Sequence, residues 1–542
     1  MRGLMQDWPL LTHRIIDHAA RVHGDREIVT RSVEGPIVRT NYREVRARSL
    51  RVAQRLERDG IKLGDRVATI AWNTARHMEC WYGIMGIGAV CHTVNPRLFP
   101  EQIAWIINHA QDRIVITDLT FVPLLEKIAG TLSSVERYVV LTDKAHMPQT
   151  TLKNAVAYED WIAEVDGNFQ WKEFDENTAA AMCYTSGTTG DPKGVLYSHR
   201  SNVLHSLIAN NGDALGATSK DTMLPVVPLF HANSWGIVFS APAMGTKLVM
   251  PGPKLDGESV YELLSTEKVT YTAGVPTVWL MLLQHMEKNK LTLPHLKVVI
   301  CGGSAMPRSM IKAFVDMGVE VRHAWGMTEM SPLGTVGALQ APYAHYTGED
   351  KLDILQMQGY PPFMVEMKIT DDAGKELPWD GKTFGRLKVK GPAISGAYYR
   401  VDTNILDENG FFDTGDVATM NEHGYMRITD RSKDVIKSGG EWISSIDLEN
   451  LAVGHPKVAE AAVIGVHHPK WDERPLLIVQ LKEGQTATRE DILQYMDGKI
   501  AKWWMPDDVA FVKAIPHTAT GKILKTSLRD QFKDYTLPTA AA

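Results

Sequence analysis

The chain has 542 residues, too many for one hydrophobic core, and about three or four structural units are expected. Hydrophobic residues make up 44% and charged residues 23%, with a net charge of -6. That balance gives no reason to expect nucleic acid or an anionic membrane as partner. The four cysteines, Cys80, Cys91, Cys183 and Cys301, form no C-x-x-C pair, so neither a disulfide framework nor a zinc site is indicated and a reducing cytoplasm is expected.

From the N-terminus, Asp7 and Pro9 precede any apolar run, unlike a signal peptide. No window approaches the roughly 18 apolar residues of a membrane span. Residues 41–60 carry Val45, Leu50, Val52, Ala53 and Leu56 at helical spacing, and Asn41 followed by Glu44 is a capping signal. Arg66 to Ala71 reads as a strand, and a helix is expected through Trp81 to Gly88. The glycines of that helix do not fit a dinucleotide fingerprint; small residues on a buried helix explain them better.

Ala179 to Cys183 reads as a buried strand running into Tyr184-Thr185-Ser186-Gly187-Thr188-Thr189-Gly190-Asp191-Pro192-Lys193-Gly194. Glycines, hydroxyls and one lysine present backbone N–H groups, O–H donors and a cation to a phosphate chain. The loop is not a Walker A sequence, because Lys193 is followed by Gly194. Leu296 to Cys301 is a second strand, ending in Gly302-Gly303-Ser304-Ala305-Met306-Pro307. Pro307 is placed to start a helix bearing Ile311, Phe314 and Val315. Val319 to Ala324 is a third strand, stopping at Trp325-Gly326-Met327-Thr328-Glu329. Parallel sheets bind ligands beyond the carboxyl ends of their strands. These three ends suit a nucleoside triphosphate, with Trp325 able to stack on a base and Glu329 able to hold Mg²⁺ through a hard oxygen.

From Gly359 to Tyr425 the texture changes to short β-rich pieces, a small β-barrel or sheet. Asp430-Arg431-Ser432-Lys433-Asp434 resembles a linker, and the remaining residues form a small α+β unit. The fold class is α/β: a large N-terminal domain, 1–430, of layered α/β subdomains plus a small β-barrel, with a mobile smaller α+β domain, 431–542.

Tyr184–Gly194, Trp325–Glu329, Thr414-Gly415-Asp416, Asp430–Asp434 and Gly521-Lys522 occur in this order. As an ensemble they resemble the core motifs of the adenylate-forming superfamily. Pro228-Leu229-Phe230-His231 and Lys437-Ser438-Gly439-Gly440-Glu441-Trp442-Ile443 are similar to its fatty acyl-CoA synthetase branch, and Gly3 to Asp7 with Val29-Thr30-Arg31 to the medium-chain acyl-CoA ligase group, which includes 3-methylmercaptopropionate-CoA ligases. The resemblance implies two half-reactions: a carboxylate attacks the α-phosphate of ATP, and CoA thiolate then displaces AMP. It implies Thr185 and Glu329 as Mg²⁺ positions and Ser186 to Lys193 as the pyrophosphate loop. Gly303, Ala324 and Trp325, with Ser304, Ala305, Gly326, Met327 and Thr328 beside them, fall at the adenine. Asp416 matches the ribose carboxylate, Arg431 a ribose and phosphate contact, and Lys522 the lysine bridging carboxylate and α-phosphate. Lys433 takes the hinge position, and Lys437, Ser438, Gly439, Gly440 and Trp442 the CoA channel. Arg386, where many relatives carry Glu, is expected to alter a surface contact only. A homodimer is implied.

His231 matches a gate beside the reacting carboxylate. Asn233, Trp235, Gly236, Gly302, Met327 and Leu333 are expected to line the acyl tunnel. Val227 to Gly236 contains no Asp, which argues against an amino-acid substrate. Two alternatives remain: an adenylation enzyme loading a carrier protein, and an inactive nucleotide-binding regulator. No Gly-x-Ser-x-Gly elbow suggests a hydrolase.

Overall fold

The computed structural model describes residues 1, 3–185, 192–431, 434–439, 441–517 and 523–540, with backbone alone for Asn233, Glu441 and Trp442. Four sheets organise it. One has seven strands, in the order Ala155–Ala157, Arg137–Val140, Asp112–Thr117, Arg66–Ile70, Val90–Thr93, Ala179–Tyr184 and Gly194–Ser198. Its pairings are parallel except the last, a hairpin that carries the 185–193 segment at its tip.

The second sheet has eight strands, with Glu320–Gly326, Val298–Cys301, Tyr271–Gly274, Thr222–Pro225, Lys247–Met250 and Glu27–Arg31 in its parallel centre. Antiparallel strands Leu333–Val336 and Ile37–Asn41 close its edges. Between the two sheets runs the helix Ala75–Gly86, buried along almost its whole length. Its Met78, Trp81, Tyr82, Ile84 and Met85 are all fully buried, and such a helix sits inside a protein rather than on it. Thr74 caps it by accepting from the His77 N–H at 3.2 Å, so it begins six residues before the expected Trp81.

Its glycines are packing residues, as their spacing suggested. A Cβ on Gly83 would lie 2.5 Å from the Val52 side chain, and one on Gly86 2.2 Å from the Trp171 ring. The partner helix, Tyr42–Arg58, starts at the expected cap, with Asn41 accepting from the Glu44 N–H at 2.9 Å. Pro307 precedes the helix Arg308–Asp316, whose Ile311 and Phe314 are buried.

Residues 366–431 form four antiparallel strands, Glu366–Thr370, Gly385–Lys390, Phe412–Met420 and Met426–Arg431, the sheet rather than the barrel of the two forms expected. The fourth sheet gathers Glu441–Ile443, Ile436–Ser438, Asp472–Leu481 and Val458–His468, with Asp508–Phe511 beside Asp472–Leu481. It has its own core of Ile436, Leu448, Val463, Leu477 and Ile492. Among the described residues no helix is long and apolar enough to cross a membrane.

Candidate active site

Strands of the two parallel sheets end on one cavity of about 800 Å³. Tyr184 delivers Thr185, Cys301 delivers Gly302 and Gly303, and the strand Glu320–Gly326 delivers Ala324, Trp325 and Gly326, followed by Met327, Thr328 and Glu329. His231, Trp235, Leu333, Lys193 and Arg431 complete the expected residues on its wall.

The 185–193 segment is closed at its base. The Thr185 N–H donates to the Lys193 carbonyl at 2.9 Å, and the Lys193 N–H to the Thr185 hydroxyl oxygen at 3.1 Å. Ser186, Gly187, Thr188, Thr189 and Gly190 lie outside the described residues, as do Lys433, Gly440 and Lys522.

Trp325 is 9% exposed. Its indole N–H donates to Asp416 Oδ2 at 3.0 Å, and Arg431 Nε meets Asp416 Oδ1 at 2.9 Å. Asp416 is thereby set behind the cavity wall, held at both oxygens. Gly326 must be glycine, because a Cβ there would stand 1.8 Å from the Pro332 carbonyl oxygen.

Glu329 is buried, and Tyr398 donates its phenol hydrogen to Glu329 Oε1 at 2.6 Å. The Lys193 ammonium lies 4.9 Å above the Tyr398 ring. Burial, and then the Glu329 carboxylate, push the Tyr398 phenol far above its ordinary range, so it remains a donor. Sequence reasoning missed Tyr398; the only signal was the glycine-bearing, aromatic-rich Ser395-Gly396-Ala397-Tyr398-Tyr399.

Arg386 is a second difference. It lines the cavity and binds Asp413 through Nε at 3.0 Å and Nη2 at 2.8 Å, more than the surface contact expected. Ile523, Leu524, Lys525 and Thr526 also reach the cavity. Burial opposes the charge on Lys525, but Glu449 at 2.8 Å and Asp430 overcome it and raise its pKa.

Trp235 sits in a short left-handed turn, with φ of +40° at Ala232, +53° at Ser234 and Trp235, and +73° at Gly236. Such backbone costs about 1–2 kcal/mol per L-residue, so surrounding packing must hold it. The turn lays the indole over Gly302, where a Cβ would be 3.0 Å from Trp235 Cη2.

Several expected residues are elsewhere. Ser304 and Ala305 turn away from the cavity, Ser304 into solvent. Gly236 packs behind the wall on the His205 ring, and the Asn233 side chain is outside the description. Lys437, Ser438 and Gly439 are not on the cavity either. Gly439, with φ of +59°, packs instead on Trp471 and Trp503.

The profile of the AMP-binding enzyme family matches residues 16–399 and that of the AMP-binding enzyme C-terminal domain residues 447–522. The chain therefore belongs to the AMP-binding, adenylate-forming enzymes. It is 49% identical over 535 residues to a 3-methylmercaptopropionyl-CoA ligase of Ruegeria lacuscaerulensis, spanning 98% of this chain and 99% of that one. It is 45% identical over 543 residues to a medium-chain-fatty-acid–CoA ligase of Ectopseudomonas oleovorans, spanning 100% of each. The anthranilate CoA ligase AuaEII, solved with anthranoyl-AMP, superposes with a TM-score of 0.86 over 99% of this chain and 100% of its own, at 24% identity, which establishes the fold alone. The enzyme is an acid–thiol ligase, an AMP-forming acyl-CoA synthetase with ATP and CoA among its substrates.

Proposed function

We propose that the enzyme activates a short- to medium-chain, uncharged-tailed carboxylic acid, with 3-methylmercaptopropionate as the first candidate. The observation that carries this is the division of the cavity. Its charged lining residues, Lys193, Glu329, Arg386, Asp413, Arg431, Asp434 and Lys525, come from the loop ends, the 366–431 sheet and the 523–526 segment. Phe230, Trp235, Ile300, Leu333, Val336, Ala209 and Leu215 form an apolar side. Among the described residues that side offers no carboxylate to an ammonium group, which speaks against an amino acid. The 49% identity to a ligase named for a thioether acid supports the candidate.

In the first half-reaction a carboxylate oxygen forms a bond to the α-phosphorus as the bond to the β-phosphate bridging oxygen breaks, releasing pyrophosphate. In the second, CoA sulfur bonds to the acyl carbon and AMP leaves. Both steps need charge neutralised and atoms aligned more than a protein nucleophile. Lys193 and Arg431 supply positive charge on the wall, and Trp325 with Gly303 and Ala324 offers a base-sized flat surface. Asp416 is assigned the ribose hydroxyls and His231 the carboxylate end of the acid. Mg²⁺ fits Glu329 and Thr185, since this ion keeps several waters and takes few protein oxygens beside substrate phosphates; bound there, it would neutralise phosphate charge.

Lys522 is assigned to the first step. His517 and Ile523, which bracket 518–522, pair in a bridge, and Ile523 reaches the cavity, in keeping with that assignment. Lys437, Ser438, Gly439, Gly440 and Trp442 are assigned to CoA after rotation of 431–542 against 1–430 at Lys433. We further place the enzyme in the cytoplasm, in keeping with four buried cysteines, and as a homodimer, which light scattering tests.

The test is a panel of carboxylic acids, C2 to C16 with aromatic, amino and thioether members, assayed for CoA-dependent AMP formation with ATP and Mg²⁺. Short to medium acids and 3-methylmercaptopropionate should rank highest without any carrier protein. A best rate with an amino acid, or none with any acid, overturns the reading.

A further inference from the structure

The apolar side of the cavity has a built floor. Ala324 and Gly326 line the cavity from the strand Glu320–Gly326, and side chains two residues apart share a face. Arg322 is therefore on the same face as Ala324, about 7 Å deeper along the strand. On the neighbouring strand Ile300 is its register partner, and Ile300 lines the cavity, as does Gly302 two residues nearer the mouth. The sheet thus presents an upper layer at Gly302–Ala324 and a lower one at Ile300–Arg322.

Arg322 is 7% exposed. Its Nη1 donates to three carbonyls, of Gly212 at 3.0 Å, Ala214 at 2.5 Å and Leu215 at 3.3 Å, and its Nε to Glu320 at 2.8 Å. Those carbonyls belong to the turn after the helix His199–Ala209, where Leu215 N–H donates back to Ala209 at 2.8 Å. A buried cation bonded to carbonyls of a turn satisfies acceptors that would otherwise be unpaired away from water. Ala209 and Leu215, on either side of this turn, reach the cavity.

We propose that Arg322 is a specificity-determining positioning residue: by clamping the 212–215 turn it fixes Leu215 and Ile300 as the floor of the acyl slot and sets the longest acid accepted. An acyl tail has about 7 Å between the two layers, room for a few heavy atoms, carbon or sulfur alike. A longer tail must lift the turn, leaving the buried Arg322 Nη1 and its three carbonyls unpaired, which costs far more than one added methylene returns. The cut-off is therefore steep. Arg322 is not on the cavity wall and acts through the turn. This rests on the reading of the apolar side as the acyl site.

The experiment compares kcat/KM across straight-chain acids for the parent, Leu215→Ala, Arg322→Met and Arg322→Lys, with the KM for ATP in each. Leu215→Ala, which keeps the clamp and deepens the slot, is expected to raise kcat/KM about tenfold or more for the first acids beyond the parent's limit. Arg322→Met should extend and blur the limit, with Arg322→Lys between, and the KM for ATP should stay at the parent value in all. If Arg322→Met does not fold, Arg322→Lys carries the same expectation of a lengthened limit. A folded Arg322 variant with the parent's limit overturns the clamp, whatever its thermal stability, and an unshifted Leu215→Ala overturns the floor. A parent enzyme inactive on every acid overturns the functional reading instead.

Discussion

Tyr398 stands between Glu329 and Lys193, donating to Glu329 at 2.6 Å while the Lys193 ammonium rests 4.9 Å from its ring. One Glu329 oxygen is thus occupied and oriented, and the other is the one assigned to Mg²⁺ in the proposed function. Hydrogen bonds to a charged acceptor contribute about 1.5–3 kcal/mol. Tyr398→Phe should therefore raise the Mg²⁺ concentration for half-maximal pyrophosphate release several-fold, with little change in melting temperature; an unchanged Mg²⁺ curve would remove Tyr398 from the site. Asp416 holds Trp325 and Arg431 together. Asp416→Asn keeps the shape but loses the charge facing Arg431, and should raise the KM for ATP by about tenfold or more, leaving the KM for the acid unaffected. Trp325, Glu329 and Asp416 were legible because short stretches carry them. Tyr398 was not, since its partner is 69 residues away and a pair of adjacent tyrosines does not say what either one faces.

The element that holds the two parallel sheets together, Ala75–Gly86, was read only in its second half. Its first turns contain Arg76, His77 and Glu79, which look like surface residues in sequence. Glu79 is nevertheless buried, paired with Arg48 at 2.9 Å and accepting from Tyr158 at 2.6 Å. The close approach at Gly83 predicts that Gly83→Val will overpack against Val52 and the Ser49 carbonyl and cost about 1–3 kcal/mol, measured by chemical denaturation.

Buried histidines make these elements acid-sensitive. Burial lowers His77, His205 and His323 from 6.5 to about 4. The unfolded chain then binds more protons than the folded one between those values, so stability is lost as pH falls from about 6.5 to about 4, by up to about 3 kcal/mol per histidine. Asp118, which burial raises from 3.8 to about 7, has the opposite sign and gains stability over the same fall, as do Glu79, Asp112, Asp430 and Glu449, which burial also raises. On the histidine side His13, lowered to about 4, and His199, lowered to about 3, add to the loss. Melting temperature should drop between pH 6.5 and 4.5, and His205→Gln should flatten that drop; a melting temperature that is level or rises toward acid would contradict the balance.

For the molecule as a whole, Lys525 and Glu449, both mostly shielded from solvent, and the buried Asp430 form a charged knot. Arg529 with Asp434 at 2.6 Å and Arg427 with Asp447 at 2.8 Å flank it. This knot ties the last strand of the 366–431 sheet to the segment that follows Lys522. In this arrangement Ile523 to Thr526 face the cavity and Lys437 to Gly439 do not, in keeping with the proposed rotation of 431–542 between the two half-reactions. Lys522→Ala should cut ATP-dependent acyl-AMP formation by roughly two or more orders of magnitude, about 3 kcal/mol or more of barrier, while premade acyl-AMP and CoA still give thioester near the parent rate. Lys433→Pro should do the reverse, sparing adenylation and slowing thioester formation. Loss of both steps together in either folded variant would refute the division.

By itself the sequence determined the layered α/β class, the three strand ends and the family, because strand periodicity, caps and glycine- and hydroxyl-rich loops are local signals written in neighbouring residues. It also carried the small-residue reason for Gly83 and Gly86. Only the tertiary structure decided that Tyr398 orients Glu329, that Arg386 reaches the cavity, and that Arg322 meets the 212–215 turn, 107 to 110 residues away. Those contacts join side chains brought together by sheet register and layer packing, and register is set by the summed burial of whole faces, which no single segment displays.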